Sequence, residues 1–473
     1  MTPKPLYLHG EWRQTETSVE VVNPATGKAF ASVCTVPRAE VAKAIATAHV
    51  AFKEWRLWAA AERGKALLDV AAALEARTNE IATLISLENG KPLDQSIGEV
   101  KLSVDHLRWF AEEGRRIYGR NVPANDRKKR HIVVKTPLGV VGAISPWNFP
   151  LVLAIRKVAA ALAAGCAVVL KPATATPLCA LAFAECVAAC KLPKGLFQVV
   201  LGDAAEVAAE LLENPLCRKI SFTGSTEVGR KLIAGAAKDI KPLSLELGGH
   251  APVLVFADSD LDRAVDGVMI AKFRNSGQSC IAANRIYVEK SIYPSFLERM
   301  AQKTRDLKYG AGGEKGVAVG PVINEAGLKK ALEHVADATK RGAKVLAGGK
   351  RANRDGYFIE PTLLADVPAD ALCMSEETFA PVAAVTTFDT EEQAIELANN
   401  TPFGLSAYAF TRDIGRIYRL MENVETGTLA INDGAPTVSQ CPFGGVKHSG
   451  WGRELGSEGL DGFLETKHVS IGI

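Results

Sequence analysis

Val140-Val141-Gly142-Ala143-Ile144-Ser145-Pro146-Trp147-Asn148-Phe149-Pro150 opens the part of the chain whose pattern decides the fold. Five small or β-branched apolar residues read as a buried strand, and the Ser-Pro-Trp-Asn-Phe-Pro run that follows breaks it. From there short apolar runs alternate with amphipathic ones. Strands are expected at 140–144, 167–170, 196–201 and 219–222, and helices at 151–164, 180–189, 206–212 and 226–237. Short buried strands separated by helices predict a parallel sheet covered on both faces.

Upstream, 39–55 and 60–88 repeat apolar residues at three and four, so 38–90 reads as helical, with Asn89-Gly90 and Pro92 as the stop. Another helix is expected at 97–113. The segment 119–137 changes character, with a basic run Asp126-Arg127-Lys128-Lys129-Arg130 before strand-like His131-Ile132-Val133-Val134. That run reads as a solvated hairpin tip, not an anion site, because the chain as a whole is nearly neutral. Downstream, 253–256 reads as a strand before the helix-capping cluster Asp258-Ser259-Asp260. A strand at 285–288, a helix at 327–341 and a strand at 344–346 continue the style. There is no internal repeat and no low-complexity linker, so two closely packed α/β units are expected. The end, 469–473, is strand-like and suited to a partner's sheet edge.

With 473 residues the chain exceeds the usual limit for one core. Its 56 basic and 53 acidic residues leave a net charge of +3, which gives no reason to invoke nucleic acid or a membrane surface. The nine cysteines are scattered, odd in number and without a CxxC pair, as in a reducing compartment. Cys186 and Cys190 lack further ligands, so no metal is expected. The first ten residues hold no apolar signal core, and no run of about 18 apolar residues occurs. A cytoplasmic protein is the expectation.

Three short stretches carry chemistry. Phe273-Arg274-Asn275-Ser276-Gly277-Gln278-Ser279-Cys280 packs small and polar residues around one thiol, Leu245-Glu246-Leu247-Gly248-Gly249 sets a lone carboxylate beside two glycines, and Asn148 stands between two prolines. Taken singly, Cys280 reads as a buried core thiol, Glu246 as a cap or ion-pair residue and Asn148 as a turn residue. Together they supply a nucleophile, a base and an amide donor for attack on a carbonyl. One oxyanion donor is typically worth about 3–4 kcal/mol. Phe222-Thr223-Gly224-Ser225-Thr226-Glu227-Val228-Gly229 follows a strand and opens a helix, a turn suited to phosphate although it is not the GxGxxG fingerprint. Lys171, in Leu170-Lys171-Pro172-Ala173-Thr174, ends a strand where ligands bind in open α/β sheets, though alone it would read as a surface lysine.

In that order these motifs resemble the aldehyde dehydrogenase superfamily. The likeness runs nearly end to end. It includes Asn23-Pro24-Ala25-Thr26-Gly27, Glu376-Glu377-Thr378-Phe379-Ala380-Pro381-Val382 and Pro442-Phe443-Gly444-Gly445-Val446-Lys447. The resemblance implies two Rossmann-like parallel α/β domains plus a small β bridging element. The division would be 1–117 with 137–248 for the dinucleotide, 249–448 for the cysteine, and 118–136 with 449–473 for the bridging, oligomer-forming part of a homodimer or homotetramer. It implies Cys280 as nucleophile, Glu246 as general base, Asn148 as oxyanion donor and Glu454 as a second proton-relay carboxylate. NAD or NADP would be held by Ser145, Pro146, Trp147, Lys171, Ala173, Thr174, Gly224, Ser225, Gly229, Leu247, Glu377 and Phe379. Lys171 and Glu377 would take the ribose hydroxyls, and Phe379 the nicotinamide side.

Within the superfamily the chain is most similar to the succinate semialdehyde dehydrogenases, through Arg156 and Arg274, with Thr437 where a hydroxyl partner is expected in a loop, 434–440, that departs from the group's pattern. Guanidinium forks match carboxylates bidentately. The implied reaction oxidises a carboxylate-bearing semialdehyde through a Cys280 thiohemiacetal, hydride transfer and Glu246-assisted thioester hydrolysis. Glutarate or α-ketoglutarate semialdehyde, or a broader range of aldehydes, stays open at this stage. Ala282 stands where many relatives carry a second, redox-switch cysteine. Thr174 stands where many NAD-preferring members carry glutamate; losing that carboxylate removes repulsion of a 2′-phosphate, so NADP is expected to be accepted, or even preferred. Ala380 and His250 also depart from the common pattern, and His250 occurs in α-ketoglutarate semialdehyde dehydrogenases. A redox-free thiol esterase and a coenzyme A-dependent acylating enzyme are the competing classes. Glu246 argues against the second, and retention of both Cys280 and Glu246 argues against a non-enzymatic scaffold.

Overall fold

The computed structural model describes residues 2–473. Val140–Ile144 is buried at every position and lies inside a six-stranded sheet. Ala167–Lys171 and then Phe197–Val199 add on one side of it. The chain then crosses back, and Cys217–Thr223 and Leu243–Glu246 add on the other side, all parallel. Gly450–Trp451 closes the edge antiparallel. The reversal of strand order falls between Val140–Ile144 and Cys217–Thr223, and the crevice beyond the C-terminal ends at such a switch is where open α/β sheets hold ligands.

Helix Val152–Ala164 is buried along all 13 residues. It packs between this sheet and the helices Ala60–Ala76 and Leu93–Glu113, which explains a helix apolar on every face. The expected 60–88 helix is two helices, Ala60–Ala76 and Thr78–Asn89, broken at Arg77. The apolar repeat runs through the break because both pieces bury their apolar side in the same core. Gly90 ends the second in the left-handed region at φ 87°, as Asn89-Gly90 predicts.

Only four residues separate Glu246 from a second, seven-stranded sheet. Its order is Lys344–Ala347, Thr362–Ala365, Val382–Phe388, Ala283–Glu289, Ala251–Val255, Ser406–Phe410 and Thr428–Ile431. All pairs are parallel except the first. Two apolar clusters line this second sheet, and a third, larger one surrounds the first sheet. The link is tight: a Cβ on Gly249 would lie 2.3 Å from the Cys280 carbonyl oxygen. The C-terminal edge of the first sheet therefore meets the second where Cys280 leads into Ala283–Glu289.

Lys129–Pro137 is the middle of a three-stranded sheet with Arg120–Val122 and Leu464–Gly472. The basic run is its exposed hairpin tip, as its solvated reading predicts. The C-terminal strand is longer than the expected 469–473 and pairs within its own chain, leaving its outer edge without a neighbour among the described residues. The 449–473 portion does not act as one piece. Gly450–Trp451 belongs to the first sheet, and helix Gly456–Asp461 packs on Leu93–Glu113 and Val152–Ala164. Among the described residues, no helix is long and apolar enough to cross a membrane.

Candidate active site

Cys280 is half-buried and lines two cavities at once. One, of about 220 Å³, is bounded by Pro146, Trp147, Asn148, Gly224, Ser225, Leu247, Glu377 and Phe379. The other, of about 230 Å³, holds Arg156, Arg274 and Thr437 together with Phe149 and Phe443. The thiol thus stands between most of the residues expected to hold a dinucleotide and all three expected to hold a substrate carboxylate.

Its backbone is held in an unusual conformation. Asn275, Ser276 and Gly277 have φ of 51°, 57° and 71°, three left-handed residues in succession. Gly277 tolerates no side chain, because a Cβ there would lie 2.2 Å from the Ala380 carbonyl oxygen. Side-chain bonds fix the strained segment: Asn275 Nδ2 donates to the Asn148 carbonyl at 2.7 Å, and Ser276 Oγ donates to the Gly320 carbonyl at 2.9 Å.

Asn148 is buried, and its Nδ2 donates to the Gln278 carbonyl at 3.1 Å. An amide NH2 has two hydrogens, so one is left for an acceptor near Cys280. Lys91 Nζ donates to the Asn148 carbonyl at 3.1 Å. Lys91 lies outside the sequence motifs, and Asn275, inside the cysteine stretch, has no role assigned by it.

Glu246 ends its strand with neither carboxylate oxygen hydrogen-bonded. Burial raises its pKa well above the usual carboxylate range, and the neighbouring Glu454 pushes the same way; Lys157 and Arg156 oppose both. Glu454 bonds Lys157 Nζ, which also donates to Thr223 Oγ1 at 2.6 Å. Burial pushes the Cys280 thiol up to about 12, helped by the Glu377 carboxylate and opposed by the Arg156 guanidinium. A thiol so placed is protonated at neutral pH and needs a base to become nucleophilic.

The cofactor-side residues have the features a dinucleotide requires. A Cβ on Gly224 would come 2.4 Å from the tip of the Phe222 ring, so a side chain here would have to displace that ring. Ser225, which lines the same recess, caps helix Thr226–Ala236 by accepting from the Val228 N–H, so the recess lies at a helix N-terminus. Gly229 sits against Leu247, closing the helix onto the loop after Glu246. Trp147 and Phe379 meet edge-on at 5.4 Å, and Phe379 adopts a φ of 53°. Burial lifts Glu377 to about 7. Ser145 is buried with its hydroxyl unpaired. Lys171, Ala173 and Thr174 are not brought to the cavity at Cys280. Lys171 is buried at its strand end, with burial lowering its pKa, and Thr174 lines a separate recess of about 930 Å³ with Arg38 and Asp203.

Arg156 is buried, 4.0 Å from Glu454 and stacked on Phe443 at 4.8 Å. Arg274 is half-buried, lies over Phe149 at 5.2 Å and makes no ion pair among the described residues. His250 bears on neither cavity: its Nε2 faces the Cys373 and Glu376 carbonyls at 3.2 and 3.1 Å, and burial lowers its pKa to about 3. Its ring thus ties the start of the second sheet to the segment that carries Glu376. Ala380 is fully buried in that sheet's core.

The model of the aldehyde dehydrogenase family matches residues 12–469. The chain is 46% identical over 468 residues to the Escherichia coli protein named succinate-semialdehyde dehydrogenase (NADP+), covering 98% of this chain and 97% of that one. It is 45% identical, with the same coverage, to the glutarate-semialdehyde dehydrogenase of Pseudomonas aeruginosa. The crystal structure of succinate-semialdehyde dehydrogenase from Burkholderia pseudomallei superposes with a TM-score of 0.98 at 43% identity, covering 100% of this chain and 98% of that one. With its two sheets meeting at one cysteine, the chain belongs to the aldehyde dehydrogenase family.

Proposed function

We propose that this protein oxidises a carboxylate-bearing semialdehyde, succinate semialdehyde foremost, to the corresponding acid with NAD or NADP. The observation that carries the reading is the cavity in which Arg156, Arg274 and Thr437 line the same space as Cys280. Two guanidinium groups on one small recess fit a carboxylate held at a fixed distance from a carbonyl. Glutarate semialdehyde is the second reading, supported by the relative of that name at 45% identity.

In this mechanism Cys280 Sγ loses its proton to a base and bonds to the aldehyde carbon. The carbonyl oxygen is held by the free Asn148 N–H and the Cys280 backbone N–H. The bound nicotinamide supplies a hydride acceptor. Glu246 takes a proton from the water that hydrolyses the Cys280 thioester, and its pKa, raised by burial and by Glu454, makes it a stronger base than an exposed carboxylate. Glu454, tied to Lys157, receives or returns that proton. Trp147, Gly224, Ser225, Glu377 and Phe379 would hold the dinucleotide, with Lys171 and Thr174 towards its far end. Thr174 offers a hydroxyl and no charge, which supports acceptance of NADP.

The residue division 1–117 with 137–248, 249–448, and a bridging part around 118–136 and the C-terminal strand belongs to the same reading. So does a homodimer or homotetramer joined through the open edge of Leu464–Gly472. A cytoplasmic location is part of it too, in keeping with nine unpaired thiols.

The test is a panel of succinate, glutarate and α-ketoglutarate semialdehydes and a neutral aldehyde of matching length, with each cofactor, for wild type and Arg274→Ala. The variant should raise KM for the acidic aldehydes about 10–100-fold, the effect of losing a hydrogen bond to a charged group. An equal loss on neutral and acidic aldehydes would remove the carboxylate clamp from the account.

A further inference from the structure

Helix Leu93–Glu113 lines the substrate cavity with Gln95, Gly98, Glu99 and Leu102. One turn further on it carries His106, fully buried, whose Nε2 lies 3.3 Å from Arg156 Nε. An arginine Nε can only donate, so His106 Nε2 accepts and the ring proton sits on Nδ1. That proton is donated to Ser439 Oγ at 2.7 Å, and the Ser439 hydroxyl in turn donates to Asp105 Oδ2. Each link of the chain Arg156–His106–Ser439–Asp105 therefore pairs one donor with one acceptor, with a single tautomer. Burial and the adjacent Arg156 charge keep the ring neutral, as this pattern requires.

Two parts of the substrate cavity hang on this network. Of the five N–H donors of Arg156, the one on Nε is taken by His106. The others make no hydrogen bond among the described residues and remain for a ligand. Glu454, 4.0 Å from Nη1, is the competing acceptor. Without an acceptor at Nε the guanidinium would be free to turn onto Glu454, since paired N–H···O bonds to a carboxylate are the preferred arrangement. Ser439, for its part, lies two residues after Thr437 in a loop with little regular structure. The bonds from His106 and to Asp105 tie that loop to the helix.

We propose that Asp105, His106 and Ser439 are positioning residues for substrate selection. They hold Arg156 turned away from Glu454 and keep the Thr437 loop in place, so that the cavity is set for an acidic aldehyde. This rests on the reading that the cavity receives a carboxylate. None of the three is a catalytic residue.

The test measures KM and kcat in the full-length enzyme for succinate semialdehyde and a neutral aldehyde of equal length, in His106→Leu, His106→Gln and Ser439→Ala. His106→Leu should raise KM for the acidic substrate about ten-fold more than for the neutral one, the loss expected for one bond to a charged group, with kcat moving far less. His106→Gln, whose side-chain oxygen can accept from Arg156 while its amide donates to Ser439, should recover most of that loss. Ser439→Ala should shift the same ratio in the same direction by about three-fold, as for a neutral hydrogen bond, and serves if the histidine variants fail to fold. Equal changes on both substrates, or no recovery by glutamine in a variant that melts like wild type, would overturn the proposal. A wild type without preference for acidic aldehydes would instead overturn the carboxylate reading beneath it.

Discussion

Glu246 illustrates how a single side chain is set up at a cost to the fold. Its carboxylate is buried and unbonded, and its pKa is raised first by burial and then by Glu454. The folded protein therefore retains a proton that the unfolded chain releases near the ordinary carboxylate value. As pH rises above that value the native state binds more protons than the unfolded one, and stability falls. Glu246→Gln should accordingly raise the melting temperature at neutral pH, and the gain should vanish below about pH 4, where both states are protonated; a melting series across pH checks both. Asn148→Ala should lower kcat about 10²–10³-fold, because the amide hydrogen left over after the Gln278 bond is lost to the oxyanion; steady-state rates with saturating aldehyde measure it. Cys280, Glu246 and Asn148 are legible in the sequence because each is a lone reactive group among small or apolar residues. His106 is not. It occupies a buried position of an amphipathic helix, and its partners Arg156 and Ser439 are 50 and 333 residues away. Lys157 left a faint signal: beside Arg156, it is a second charge inside an otherwise apolar helix.

Among the elements, the segment Arg274–Gly277 matters most for the thiol. Three left-handed residues turn the chain so that Cys280 emerges between the cavities, and Gly277 has the Ala380 carbonyl where a side chain would go. Gly277→Ala should cost at least about 2 kcal/mol from strain and collision together, seen as a lower denaturation midpoint. The strands and helices from Val140 to Ala236 are legible to within about two residues, because buried strands and amphipathic helices alternate there with clear turn residues. The break at Arg77 is not, since apolar spacing continues across it. Thr362–Ala365, Ser406–Phe410 and Thr428–Ile431 also escape a reading by periodicity. They are short apolar runs, which alternation alone does not separate from buried helix.

At the scale of the whole molecule, the decisive feature is that two α/β sheets meet end to end across Leu247–His250. The base comes from a strand end of one sheet, the thiol from the entry to a strand of the other, and both cavities are lined by residues of both units. The existence of two such units is legible from the alternation of elements. Their end-to-end docking is not, because it depends on close backbone approaches such as Gly249 against Cys280, where a glycine pair signals little by itself. The central claim is that the thiol attacks the aldehyde and the buried carboxylate completes hydrolysis. The most direct measurement is rapid mixing of Glu246→Gln with succinate semialdehyde and cofactor, followed by mass analysis of the Cys280 peptide. The account predicts a burst of reduced nicotinamide of about one equivalent per thiol, little turnover afterwards, and an acyl adduct on Cys280. Sustained wild-type turnover in that variant, or an adduct on any other residue, would contradict it.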